Sequence, residues 1–114
     1  MSFPAVRPRR LRRTAAVRRL VRETDLSSRQ LVLPLFCLDA EKGRRPIASL
    51  PGHFQLGRRE LAREAEAAAK LGLGGLLLFG IPKGKDARAS SSRDPEGVVP
   101  KALRRVRKTV GEDL

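Results

Sequence analysis

The sequence predicts an α/β protein, built from parallel βα units and preceded by a basic, extended N-terminal arm. Three observations carry that expectation. Two apolar runs, LVLPLF at residues 31–36 and GLLLF at 75–79, lack polar alternation, the pattern of strands buried on both faces. Each is followed by an amphipathic helical pattern, at 57–72 and again from Val99 to Val110. Ahead of both lies RPRRLRRTAAVRRLVR, residues 7–22, with no acidic residue. Doubly buried strands alternating with helices indicate parallel pairs joined by right-handed crossovers.

In chain order, residues 1–13 carry Pro4 and Pro8 and read as extended backbone. From Thr14 the pattern changes: Ala15, Val17, Leu20 and Val21 form a short, imperfect helical stripe among arginines. Asp25, Ser27 and Ser28 supply turn chemistry before the first strand. Pro34 inside that strand cannot donate a ladder hydrogen bond, so an edge position or a broken ladder is expected. Residues 38–57 hold no long periodic segment, and SLPG at 49–52 predicts a short hairpin around Pro51-Gly52. GRRELAREAEAAAKLG then gives the clearest helix. Leu61, Ala65, Ala68 and Ala69 line its apolar face, while Arg59, Glu60, Arg63, Glu66 and Lys70 can face water. Small alanines let such a helix lie close to a sheet, and Gly72 is a stop. The second strand empties through Gly80-Ile81-Pro82 into a polar loop over 82–97, which contains ASSSRD. In the last helix Val99, Leu103, Val106 and Val110 fall at helical spacing, and Pro100 is tolerated only in the first turn.

Composition sets outer limits. A chain of 114 residues, 40% hydrophobic, permits one small domain with a modest core. One cysteine, Cys37, and one histidine, His53, cannot make an internal disulfide or a four-ligand Cys/His zinc site. No apolar run approaches the ~20 residues of a membrane span, and the basic N-terminus lacks the apolar segment of a secretory signal. Cytoplasmic residence is the expectation. The net charge of +13 suggests a polyanion partner, because Arg and Lys gain affinity by releasing counterions from phosphates. A local basic block also suits a membrane-surface helix or an arm docked on an acidic protein surface. Against nucleic acid, Tyr and Trp are absent and the four Phe are scattered, so no stacking platform forms. Two parallel strands are too few for a stable sheet. The last helix runs to VGEDL, where a third strand is expected, so the chain reads as the opening piece of a larger α/β protein.

Five motifs in register then carry a resemblance. RPRRLRRT at 7–14, QLVLPLF at 30–36, PIASLPG at 46–52, LLLFGIPKGKDARAS at 76–90 and DPEGVVPKALRRVRK at 94–108 closely resemble the start of porphobilinogen synthase, or delta-aminolevulinic acid dehydratase. The resemblance covers nearly all of the chain. It implies a (β/α)8 TIM barrel behind an N-terminal arm that wraps a neighbouring subunit of a homo-oligomer, commonly an octamer. Residues 1–24 would be the arm and 25–114 the first two βα units of the barrel. The implied reaction condenses two 5-aminolevulinate molecules to porphobilinogen in tetrapyrrole and haem synthesis. It depends on two Schiff-base lysines and on zinc or magnesium, all held beyond the region this chain covers. The chain alone is therefore expected to be inactive. Two departures stand out: Leu50 where the family usually has Met, and Ser90-Ser91-Ser92 where it usually has Gly-Ser or Gly-Thr after a KDxxG-like stretch.

No residue is accordingly assigned a catalytic, cofactor-binding or metal role. Lys83 and Lys85 follow a strand at its C-terminal end, yet they flank Gly84 in a polar loop, without the desolvation a Schiff-base lysine needs. Cys37 reads as a small buried hydrophobe and His53 as a surface residue. Asp39, Glu41 and Asp86 are not paired at a spacing suited to acid–base work. The alternation of Pro, Arg and Leu fits an oligomerisation arm better than the alternative, a small nucleic-acid-binding protein acting through its arginines. Specific nucleic-acid binding is not expected.

Overall fold

Residues 9–114 are described by a computed structural model; Pro4, Pro8 and the extended backbone expected around them lie outside those residues. Within residues 9–13 that expectation is corrected, because Arg10–Arg12 form one 3-10 turn. Helix α1, Ala15–Leu20, follows as its apolar stripe predicts. Thr14 caps it, its hydroxyl oxygen accepting from the Val17 N–H at 3.2 Å.

Strand β1 is Val32–Leu38, β2 is Arg44–Pro46, β3 is Phe54–Leu56 and β4 is Gly75–Ile81. They form one sheet in the order β2-β3-β1-β4. β1 and β4 are parallel over their whole length, from Val32↔Gly75 to Leu38↔Ile81. β2 and β3 are the antiparallel hairpin around the Pro51-Gly52 turn. The sequence does not signal that β3 also lies parallel to β1, at Phe36↔Gln55 and Cys37↔Leu56. β1 is thus internal, and Pro34 sits where β3 has not yet arrived. The ladder is broken on that side, which is the condition a strand proline requires.

Helix α2, Arg58–Lys70, and helix α3, Val98–Val110, pack on one face of the sheet. Leu35, Cys37 and Leu56 meet Leu61 and Ala65 of α2 and Val98, Ala102, Val106 and Val110 of α3. Pro100 falls in the first turn of α3, as it must. Val106 and Val110 of the expected apolar face of α3 are buried, but in its first half Val98 and Ala102 are buried in place of Val99 and Leu103, and Leu103 is 51% exposed. Ala102 brings the helix close to its neighbours, and so small a side chain carries little hydrophobic signal in the sequence.

The expectation of strands buried on both faces is also corrected. Leu33, Leu35, Leu76 and Leu78 point toward the helices, whereas Val32, Leu77 and Phe79 on the opposite face are exposed at 58%, 51% and 46%. Phe36 and Phe79 stack on that open face with ring centroids 5.5 Å apart. The radius of gyration, 21.3 Å, exceeds the ~13 Å of a compact domain this long.

Candidate functional site at the strand C-termini

Parallel strands deliver their following loops to the same end of a sheet, where α/β proteins bind ligands. Here Leu38 leads into Asp39-Ala40 and Ile81 into Pro82-Lys83. Between these loops lies a cleft of about 340 Å³, which Arg45 of β2 reaches from the side. A second hollow, about 310 Å³, lies beyond Gly80 and Pro82, under Lys85, Asp86 and Ser92.

The loop after β1 is held by the first turn of α2. The Arg58 N–H donates to the Ala40 carbonyl at 3.0 Å, Arg59 to Glu41 at 2.9 Å and Gly57 to Gly43 at 2.8 Å. The Arg58 guanidinium reinforces this, with Nε donating to Glu41 Oε2 at 3.0 Å and a nitrogen 3.7 Å from Asp39 Oδ1. Arg105 of α3 lies 3.7 Å from Glu41 as well. Asp39 and Glu41 are therefore structural partners of arginine. Glu60 turns back so that Oε2 accepts the Gly43 N–H at 3.1 Å. Burial raises its pKa, but hydrogen bonds from backbone and from Arg59 outweigh this and hold it below the ordinary value. Gly57 is required at this joint, since a Cβ there would stand 2.6 Å from the Lys42 backbone.

Asp86 organises the loop after β4, accepting from the Ser90 N–H at 2.9 Å and the Arg88 N–H at 3.1 Å. The Ser90 contacts, backbone first, are the main reason its carboxyl lies below its ordinary value. The turn puts Ala89 at φ 52°, the left-handed region that disfavours a side chain. Lys83, Lys85 and His53 are exposed. Cys37 has zero exposure, and burial pushes its thiol up to about 11. Gln55, which sequence reasoning passed over, has a buried Oε1 with no hydrogen-bond partner among the described residues.

Among the described residues no three of His, Cys, Asp and Glu stand together as metal ligands. No helix among them is long and apolar enough to cross a membrane. Among the described residues, the basic segment exposes both charge and apolar surface: Leu11 and Leu20 are 58% and 85% accessible beside the arginines.

The family model for delta-aminolevulinic acid dehydratase matches residues 5–114. The delta-aminolevulinic acid dehydratase of Mycobacterium tuberculosis is 50% identical over 113 residues, which are 97% of this chain and 34% of that protein. That of Streptomyces coelicolor is 43% identical over 115 residues, 99% of this chain and 35% of its own length. Among solved structures, delta-aminolevulinic acid dehydratase (porphobilinogen synthase) from Toxoplasma gondii ME49, in complex with the reaction product porphobilinogen, superposes with a TM-score of 0.84. It is 34% identical, over 90% of this chain and 30% of that one. The chain spans about a third of the length of the curated relatives it matches. Its sheet, with helices on one face, has the architecture of the opening βα units of their TIM barrel. The family match, the barrel-type geometry and the five sequence motifs agree, and the chain belongs to the delta-aminolevulinic acid dehydratase family.

Proposed function

We propose that residues 25–114 serve as the first two βα units of a porphobilinogen synthase, with residues 1–24 as an arm that embraces a second subunit. The enzyme would condense two 5-aminolevulinate molecules to porphobilinogen in the cytoplasm. The observation that carries this reading is the family match over residues 5–114, in which β1 and β4 keep the parallel register of a barrel. The chain's own contribution is a fixed mouth: Arg58 and Gly57 lock the loop after β1, and Asp86 locks the loop after β4. Lys83 and Lys85 are both exposed and lack the desolvated surroundings a Schiff-base lysine needs. Among the described residues no cluster of His, Cys, Asp and Glu fits zinc or magnesium. Exposed leucines interleaved with arginines support an arm that docks on protein, in an assembly such as the family's homo-octamer.

A chimera tests the reading. Residues 1–114 would be joined to the remaining two thirds of the Mycobacterium tuberculosis relative and assayed for porphobilinogen formation, beside the 114-residue chain alone. The chimera is expected to turn over 5-aminolevulinate and the chain alone to be inactive. A folded, oligomeric chimera without activity would overturn the assignment, and turnover by the chain alone would overturn its expected inactivity.

A further inference from the structure

The cleft between the strand ends has a charge asymmetry with a chemical meaning. Register places Arg45 opposite Gln55, Gln55 beside Phe36 and Phe36 beside Phe79, one row across the sheet. Residues in one row of a sheet project to the same side, so Arg45 belongs to the open face that the Phe36–Phe79 stack marks. Above that row the cleft takes in Lys83 from the loop after β4. Among the described residues neither Arg45 nor Lys83 has a carboxylate partner within 4.0 Å, although six ion pairs form elsewhere. The one acid lining the cleft, Asp39, is already countered by Arg58. The mouth thus offers two uncommitted cations at an apolar floor.

We propose that Arg45 and Lys83 receive the carboxylate of an incoming small keto acid at the mouth of the site. The proposal rests on the functional reading above and adds to it two specificity-determining residues. Both cations stay hydrated, so their effect is on capture of the anion and leaves the chemical step alone. In the chimera, the double variant R45Q/K83Q is expected to raise KM for 5-aminolevulinate and Ki for levulinate, the substrate without its amine. The rise should be roughly threefold to tenfold, the scale of two exposed charge contacts. Turnover number and inhibition by the neutral methyl ester of levulinate should not change. The control variant R63Q/K70Q, which removes the same charge from the exposed face of α2, should change none of these. Equal shifts in both variants, or unchanged KM and Ki in R45Q/K83Q, would overturn the proposal. If the chimera without substitutions fails to turn over substrate, the functional reading falls and this inference falls with it.

Discussion

Cys37 and Ala89 show how residue environments set testable chemistry. Cys37 is sealed among Leu35, Leu56 and Leu61, and that burial pushes its thiol up to about 11. It should resist iodoacetamide in the folded protein and react readily in denaturant; rapid labelling of native protein would contradict the sealed core. The sign for stability follows. A group whose folded pKa is raised contributes stability fully below its ordinary value of 9.0, and that stability is lost as pH climbs through about 11. Alkaline unfolding in that window should therefore weaken in Cys37→Ala relative to its own neutral-pH stability. Ala89 carries a side chain in the left-handed region, at φ 52°. The left-handed conformation costs a side-chain-bearing residue about 1 kcal/mol, partly offset by glycine's greater freedom when unfolded. Ala89→Gly in the chimera should accordingly be neutral to stabilising by up to about 1 kcal/mol in urea titration. A clear loss would mean that the alanine methyl packs usefully.

At the scale of elements, the joint between the β1 loop and α2 is the most constrained. Gly57→Ala would drive a methyl into the Lys42 backbone and should cost about 1–3 kcal/mol, read as a lowered thermal midpoint of the chimera. The exposed arginines of the basic segment predict duplex DNA binding that is weak, indifferent to sequence and lost with modest added salt. A tight, sequence-selective complex at physiological salt would favour the nucleic-acid alternative. The helices and the two long strands were legible because apolar runs and 3.6-residue periodicity are local signals. Three things were not. The pairing of β3 with β1 joins Gln55 and Leu56 to residues 19 positions away, and a three-residue strand has too few residues for a pattern. The burial of Ala102 in place of Leu103 depends on how closely α3 approaches its neighbours. Arg45 and Lys83 lie 38 residues apart in an arginine-rich chain, and only the sheet register brings them to one cleft.

For the molecule as a whole, the sheet has one dry face and one wet one. Leu77 and Phe79 are about half exposed, and each full burial of such a side chain is worth ~1.5–3 kcal/mol against a total of ~5–15 for a small domain. The 114-residue chain by itself should therefore be partly folded or aggregating, with α2 its most persistent helix. Hydrogen exchange and thermal scanning check this: a sharp cooperative transition of a monomer, with strong protection across 75–79, would refute it. The hairpin has a further effect on how such a sheet can close. A strand approaching β1 from the side away from β4 finds free backbone from Val32 to Leu35 and then meets β3 at Phe36. It must stop there. Barrel closure requires a stagger between first and last strands, and its size fixes tilt and diameter together. The hairpin would thus work as a gauge block: by pairing with Phe36 and Cys37, two of the seven residues of β1, it would limit the offset at which a closing strand docks, and with it the cross-section of the barrel.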